Sequence, residues 1–323
     1  MKIDLEPGRR PLKILFFGTP DFASDVLNYL FEHQVPITAI VTQPDRPQGR
    51  SLKMTPPAVK ALVLEKAPHL PIFQPEKASD PQFLQAVAQL KPDLFVVVVF
   101  GQILPQTLLA IPKLGSINVH PSLLPKFRGA APIRRALMEG ETETGVVIQK
   151  MVRQMDAGDL LAVEKINIDP NMTHGELEEK LLTLSKPLLL QVIRQYEKGE
   201  QPPGWPQDPE KATFAPKISA EEGEIHWGES AQKIHNQIRA LSPRPGAWSL
   251  TAQGKRIKIL RSVIASGTAT GAGKPGAMLS PKGIFACGHG SIQLIEVQPE
   301  GKKPMSAAEW IRGQKETQIF TSI

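Results

Sequence analysis

Short apolar runs rich in β-branched residues alternate with segments of helical periodicity through the first half of the chain. The pattern predicts strands at 13–19, 37–42 and 93–100 and helices at 21–33, 58–67 and 80–91. Because strands that alternate with helices form a parallel sheet covered on both faces, we expect an α/β, Rossmann-like domain. Positions 94–100 are all apolar, which is typical of a central parallel strand.

The pattern changes after residue 144. Two strands between 144 and 168 flank the turn MDAGD, and they predict an antiparallel addition at one side of the sheet. A long helix is expected at 174–198.

A proline-rich segment then interrupts all periodicity. Residues 199–216 contain five prolines and two glycines, so they cannot form the interior of a helix or strand. An amphipathic helix at 230–241 and several short strands with glycine turns follow, which predicts a small β-barrel of the oligonucleotide-binding (OB) type. We therefore predict a Rossmann-like domain at 1–200, a linker at 201–216 and an OB-like domain at 217–323.

Charge adds one piece of information about the second domain. The formal net charge is +6, and most of the excess lies after residue 205. A basic domain attached to a near-neutral one favours a polyanionic partner, although a mildly basic surface that binds no ligand is the commoner case.

Composition also excludes several classes of protein. No apolar run approaches the roughly 18 residues of a membrane-spanning helix. The single cysteine excludes an intramolecular disulfide, and the seven histidines lack the spacing of a metal site. The first residues carry acids, a proline and a glycine in place of the apolar region of a signal peptide. We expect a cytoplasmic monomer that has no membrane segment and no metal.

The clearest candidate chemistry lies in the stretch SINVHPSLLPKFRGAAPI, residues 116–133. Strand side chains alternate between faces, so Asn118 and His120 project to the same side, and Pro121 ends the strand. Ligands of open α/β sheets bind outside the carboxyl ends of the strands. Both side chains are therefore placed to meet a ligand, while the alternative is a strand end whose polar residues bond loop backbone.

The following residues, Ser122, Leu123, Leu124 and Pro125, offer consecutive main-chain donors and acceptors beside the sheet. We expect them to bind a flat heterocycle by its amide-like edge, with the leucines covering its face.

The first strand ends in GTPDFA, residues 18–23. It holds one glycine where a dinucleotide-binding fingerprint needs three, so we expect a tight turn there. We also expect Asp21 to cap the first helix.

Several motifs together resemble one family. The chain carries, in order, GTPDFA (18–23), TQPDRP (42–47), INVHPSLLPKFRGAAPI (117–133), DAGD (156–159), KISAEEGEIHW (217–227) and IRALSPRPGAW (238–248). The third motif alone resembles the wider family of folate-dependent formyltransferases. The second motif and the two last ones make the chain similar to the methionyl-tRNA formyltransferase family.

The resemblance implies a reaction and the residues that perform it. It implies transfer of the formyl group of 10-formyltetrahydrofolate to the α-amino group of methionyl initiator tRNA, and hence a role in translation initiation. Asn118 would donate a hydrogen bond to the oxyanion, His120 would bind the same oxygen or move a proton, and Asp156 would support His120. Asp159 is the rival of Asp156, although an aspartate in such a turn usually bonds nearby backbone.

The resemblance also implies two basic surfaces that contact tRNA. Arg46, Arg50 and Lys53 lie in the loop at 43–57, which would close over the acceptor end, and the loop has one basic residue fewer than the family pattern. Arg244, Arg256 and Lys258 would contact tRNA from the second domain, with Arg256 and Lys258 on one face of a strand. From the residues alone, each group fits an ordinary solvated surface.

Two other functions remain open from the sequence. The same chemistry could act on an amino-sugar nucleotide or another small amine, in which case removal of residues 217–323 would leave turnover unchanged. A nucleic-acid-binding protein on a degenerate enzyme scaffold would require the loss of Asn118, His120 or Asp156, and all three are present.

Overall fold

Strands and helices alternate along the first 200 residues as the hydrophobic pattern predicts. The computed structural model describes residues 10–48, 52–265, 273–313 and 320. The elements up to residue 200 are β1 (Ile14–Gly18), α1 (Asp21–Glu32), β2 (Ile37–Val41), β3 (Arg46–Gln48), β4 (Lys53–Thr55), α2 (Ala58–Lys66), β5 (Ile72–Phe73), α3 (Pro81–Gln89), β6 (Leu94–Val98), α4 (Gln106–Leu109), β7 (Ser116–His120), β8 (Arg128–Gly129), α5 (Pro132–Met138), β9 (Glu143–Lys150), β10 (Leu160–Asn167) and α6 (His174–Glu197).

Seven of these strands form one sheet in the order β10-β9-β7-β6-β1-β2-β5. Neighbouring strands from β7 to β5 run parallel, and β9 joins β7 antiparallel. Every residue of β1 and β6 is buried, because helices cover both faces of a parallel sheet. The sheet confirms the predicted α/β architecture, including the antiparallel addition at one side.

The parallel strands bring their carboxyl ends to a common edge. The loops after β1, β2 and β6 are tied together there, since Thr19 Oγ1 and Gln43 Nε2 both donate to the carbonyl of Phe100, at 2.8 and 3.2 Å. β7 ends at the same edge with His120. This edge is where the sequence predicts the site.

One helix start differs from its prediction. The capping position of α1 is Pro20, Asp21 is the first helical residue, and no side chain caps the helix. The expectation that Asp21 caps α1 is therefore wrong. Its carboxylate lies in the first helical turn, where negative charge interacts favourably with the helix dipole.

The remaining elements are mainly strands. They are β11 (Phe214–Ala215), α7 (Ala231–Leu241), β12 (Ala247–Leu250), β13 (Arg256–Ile264), β14 (Met278–Ser280), β15 (Ile284–Ala286), β16 (Ser291–Pro299), β17 (Met305–Ser306) and α8 (Ala307–Arg312), with short 3-10 turns at Pro209–Lys211 and Glu221–Gly223. The antiparallel sheet has the order β12-β13-β16-β15-β14, and β17 pairs with β16. This antiparallel β domain confirms the second part of the predicted fold class.

By its contacts the chain divides into two compact units that are interleaved along the sequence. The first consists of residues up to 128, 145–165 and 180–214. The second consists of 129–144, 166–179 and 215–323. The predicted boundaries at 200 and 217 stay a prediction.

Each unit has its own core. In the first, Phe17 packs against Phe95 and Phe100 with ring centroids 4.8 and 5.5 Å apart. In the second, the fully buried Trp227 stacks on Phe320 at 4.6 Å, and the apolar face of α7 packs into the same cluster. Burial of such aromatic rings dominates the stability of small cores.

Candidate active site

His120, the last residue of β7, is buried at the carboxyl edge of the sheet. Its Nε2 lies 3.0 Å from the carbonyl oxygen of Phe127. A carbonyl only accepts hydrogen bonds, so Nε2 carries a proton and donates it to this bond. In the neutral ring the free lone pair is therefore on Nδ1.

Asp156 faces that second nitrogen. Its Oδ1 lies 3.7 Å from Nδ1 of His120 and accepts a hydrogen bond of 2.8 Å from Nε2 of Gln149. The main chain of Asp156 has a φ of 51°, in the left-handed region. Aspartate adopts this conformation more readily than most residues other than glycine, and it is the hydrogen bond from Gln149 that fixes the carboxylate.

The electrostatics of the pair have opposing contributions. Burial lowers the pKa of His120 below its ordinary value of 6.5, while the charge of Asp156 and the hydrogen bond to Phe127 oppose that shift. The net effect is a pKa below 6.5, so the imidazole is neutral at pH 7. A neutral histidine that faces a carboxylate through Nδ1 can accept a proton at that atom.

Asn118 lies beside this pair. It is half-buried, and in the register of the sheet it is opposite Val97 of β6 and Gln149 of β9. Residues directly opposite in neighbouring strands project to the same face, as do residues two apart in one strand. Asn118, His120 and Gln149 therefore share one face of the sheet, and Gln149 connects this face to Asp156.

Two short segments support the histidine from outside the sheet. Phe127 has a φ of 62°, and its N–H donates to Oγ1 of Thr213 at 2.9 Å. Thr213 also accepts from the N–H of Arg128 through its carbonyl, at 2.9 Å. Residues near 213 thus fix the Phe127 carbonyl that orients His120.

The predicted heterocycle-binding residues occupy the turn after β7. The Ser122 hydroxyl donates to the carbonyl of Lys126 at 2.7 Å, and the Leu124 side chain is buried against Val147 and Leu160. Leu123 and Pro125 are only half-buried. The side chains of Ser122 and Leu124 therefore stabilise the turn, which leaves its main chain and Leu123 to meet a ligand. Binding by residues 122–125 stays a prediction.

Three basic residues were predicted in the loop at 43–57. Arg46 and Lys53 lie on the hairpin of β3 and β4, where Arg46 pairs with Glu76 at 2.5 Å and Lys53 is exposed. Arg50 lies outside the described residues.

The second unit carries the other predicted basic residues. Arg256 and Lys258 alternate with the buried Ile257 and Ile259 along β13, so the two basic side chains share the outer face as predicted. The guanidinium of Arg256 lies over the ring of Trp248, 3.9 Å from its centroid. Such cation–π contact orients the guanidinium and contributes about 0.5–1 kcal/mol at an exposed position. Arg244 is exposed in the preceding turn.

Comparison with known proteins identifies the family. The profile described as formyl transferase matches residues 12–193, and the profile described as formyl transferase, C-terminal domain, matches residues 217–315. A methionyl-tRNA formyltransferase of Protochlamydia amoebophila is 45% identical over 96% of this chain and 98% of its own. That of Chlamydia caviae is 41% identical, with coverage of 96% and 98%. The chain belongs to the methionyl-tRNA formyltransferase family.

Solved structures support the fold at lower identity. The N-formyltransferase of Helicobacter canadensis, in complex with folinic acid and dTDP-3-aminofucose, gives a TM-score of 0.65 at 18% identity over 89% of this chain and 99% of that one. HypX of Aquifex aeolicus, in complex with tetrahydrofolic acid, gives 0.63 at 16% identity over 97% of this chain. The match spans about half of HypX, 51% of its chain.

This member of the methionyl-tRNA formyltransferase family also has an apolar rim that the motif analysis missed. Val99 and Ile103, in the loop after β6, are 45% and 79% exposed, and Val99 has a φ of 45°. They follow the strand next to β7, so they lie at the same edge as Asn118 and His120. Their sequence signal, VFGQILP directly after an apolar strand, resembles the end of an ordinary core segment.

Polar residues outside the motifs were missed as well. Gln149 is buried within β9, and Gln207 lies in the proline-rich segment predicted as a linker. Both contact Asp156, through its side chain and its main chain respectively.

Among the described residues, no helix combines the length and hydropathy that crossing a bilayer requires. The same part of the chain contains no cluster of three His, Cys, Asp or Glu side chains suited to a metal ion.

Proposed function

We propose that this protein transfers the formyl group of 10-formyltetrahydrofolate to the α-amino group of methionyl initiator tRNA and so produces N-formylmethionyl-tRNA for translation initiation. The observation that carries the proposal is the pairing of the buried His120 with Asp156 beside Asn118, in a chain 45% identical to a methionyl-tRNA formyltransferase over nearly its whole length. It acts in the cytoplasm as a monomer.

The chemistry assigns one task to each of the three residues. The neutral amine attacks the formyl carbon, a C–N bond forms, and the carbonyl oxygen becomes an oxyanion. Asn118 donates its side-chain N–H to that oxyanion, an interaction worth about 3 kcal/mol in comparable sites. His120 accepts the amine proton at Nδ1, and Asp156 stabilises the resulting imidazolium. The intermediate then collapses, the bond to the folate nitrogen breaks, and that nitrogen receives the proton.

The folate donor binds along the carboxyl edge of the sheet. The main chain of the turn at 122–125 offers polar groups for the edge of the pterin, as the sequence predicts. Leu123, Val99 and Ile103 supply apolar surface for its faces, since two of these side chains are exposed beside the site and the third is half-buried.

Transfer RNA binds through basic residues of both units. Arg46, Arg50 and Lys53 contact the acceptor end, while Arg244, Arg256 and Lys258 contact the phosphate backbone. The exposed Arg256 held over Trp248 supports this assignment, because a guanidinium fixed at the surface loses less entropy when it binds a phosphate.

A formyl-transfer assay tests the proposal. The purified protein and 10-formyltetrahydrofolate are offered methionyl initiator tRNA, the same tRNA uncharged, methionyl elongator tRNA, and a dTDP-amino sugar. Formyl incorporation is expected with the charged initiator tRNA and absent with the uncharged one, which lacks the methionine amine. Incorporation into the amino sugar alone would overturn the proposed acceptor.

A further inference from the structure

The proline-rich segment at 205–213 lies against the candidate active site. The main chain of Trp205 exchanges two hydrogen bonds with Leu160, from N to O at 3.0 Å and from O to N at 2.9 Å. Leu160 begins β10, directly after the turn that contains Asp156. The segment is therefore attached to the catalytic turn and does not behave as a free connection between two domains.

The Gln207 carboxamide bonds that turn through its Nε2 and Arg128 through its Oε1. Its Nε2 donates to the carbonyl oxygens of Asp156 and Gly158, at 2.8 and 2.7 Å. Its Oε1 accepts from Nη2 and Nε of the buried Arg128, at 2.7 and 3.2 Å. Arg128 can only donate and the carbonyls can only accept, so the orientation of the Gln207 carboxamide is determined.

The turn depends on such support. Residues 152–155 are exposed, and Asp156 has the left-handed φ described above. On the far side, Gly158 packs so closely against β9 that an added Cβ would lie 1.9 Å from the carbonyl oxygen of Lys150. Gln207 donates to the carbonyls of Asp156 and Gly158, on either side of Ala157. It thereby links the turn to the buried Arg128.

A second glutamine holds the carboxylate itself. Gln149, 1% exposed, donates to Oδ1 of Asp156, and its own Oε1 lies 3.4 Å from Nε2 of Gln207. The carboxylate is thus oriented from β9, and its main chain is held from residue 207. The two contacts together direct Oδ1 toward His120.

We propose that Gln207 is a positioning residue for formyl transfer, which holds the turn of Asp156 so that the carboxylate faces Nδ1 of His120. The inference rests on the proposed function for its kinetic readout and extends that function to a residue outside the Asn118, His120 and Asp156 set. A displacement of about 1 Å in a catalytic group can cost about 100-fold in rate, so a support of this kind is measurable.

Gln207→Glu is the sharpest variant. It keeps the side-chain length and the partner Arg128, but it removes both N–H donors and sets a carboxylate against two carbonyl oxygens. We expect kcat to fall about 10- to 100-fold, with KM for donor and acceptor within about twofold of the parent values. Gln201→Glu, at an exposed position of the wider proline-rich stretch 199–216, is the matched control for charge and should retain full kcat.

A double-mutant cycle separates positioning from general destabilisation. If Gln207 acts through Asp156, then Gln207→Glu should cost little further kcat in an Asp156→Asn background. An undiminished loss in that background overturns the proposal, as does a Gln207→Glu variant with full activity. Gln207→Leu, checked for folding by its thermal transition, is a second and uncharged variant that serves should the glutamate prevent folding.

A spectroscopic readout keeps this inference distinct from the proposed function. In the free protein, loss of the Asp156 charge from its position beside His120 should lower the pKa of His120, as followed by the NMR signal of its Cε1–H. A wild-type protein that fails to formylate methionyl-tRNA contradicts the proposed function. An unchanged His120 titration in Gln207→Leu, which adds no charge near the imidazole, contradicts the positioning role.

Discussion

The Nδ1 atom of His120 lies 3.7 Å from Oδ1 of Asp156, beyond the usual length of a hydrogen bond between such atoms. The neutral imidazole carries its proton on Nε2, where Phe127 accepts it. Its Nδ1 and the carboxylate are therefore both acceptors, and they become partners only when Nδ1 gains a proton. The resting pair is prepared to receive the proton that the attacking amine must lose.

The titration of His120 follows from this arrangement. Burial lowers the pKa of His120 and Asp156 opposes that shift, so the neutral form should predominate above pH 6.5 and the midpoint should lie below it. Asp156→Asn removes the opposing charge and should move the midpoint to still lower pH. NMR titration of the free protein measures both values without interference from the acceptor amine. A His120 midpoint above 6.5 would contradict the assigned environment.

Asn118 should contribute to the rate of the chemical step. Asn118→Ala removes the proposed oxyanion donor, and we expect kcat to fall about 100- to 1000-fold with a smaller change in KM. Asn171→Ala, at an exposed asparagine of the second unit, is the control that should leave kcat unchanged. Full activity of the Asn118 variant with a native thermal transition would remove this residue from the mechanism.

Arg256 and Lys258 should contribute electrostatic affinity for tRNA. Replacing either with glutamine removes one phosphate contact, so the slope of log K against log salt should decrease by about one unit. Binding measured at several salt concentrations gives this slope, and Lys198→Gln, at an exposed lysine after α6, serves as the charge control. A slope equal to that of the parent protein would place these residues outside the interface.

His174 should make the stability of the protein depend on pH. Burial lowers the pKa of His174 to about 3, and the positive charge of Arg134 acts in the same direction. Its folded pKa lies below the unfolded value of 6.5, so its contribution is present above pH 6.5 and is lost as pH falls toward 3.

Between pH 7 and 4.5 this contribution amounts to about 2–3 kcal/mol. Denaturant unfolding of the wild type should therefore weaken over this range by that amount more than unfolding of His174→Gln. His69→Gln, at an exposed histidine, should follow the wild type. Equal pH dependence in all three proteins would contradict the shift.

The sequence predicts the sheet well because its signal is local. The fully apolar run of β6 and the two-residue spacing of Asn118 and His120 each carry their meaning within a few positions. Only the family motif indicates a catalytic role for Asp156, since an aspartate in a glycine-containing turn has a structural role by default.

The supporting residues have no such local signal. Gln207 is 51 positions from Asp156 along the chain and lies among prolines that indicate a linker. Gln149 is one polar residue within a buried strand. Its place beside Asn118 becomes visible only when β9 is paired with β7. Likewise, only the folded turn shows that the side chains of Ser122 and Leu124 are bonded or packed inside it. The predicted binding by residues 122–125 is then assigned to the main chain of the turn.

The interleaved division of the chain bears on how the contribution of the second unit can be dissected. Residues 129–144 and 166–179 depend on partners beyond 215: Arg239 donates to the carbonyl of Leu137 at 3.2 Å, and His235 bonds that of Pro170 at 2.9 Å. A chain shortened at residue 216 would strip these segments of their packing, and one shortened at 200 would also lose Gln207 and Thr213. Inactivity of either fragment would therefore reflect loss of folding. Single substitutions on the surface test more specifically which residues tRNA recognition requires.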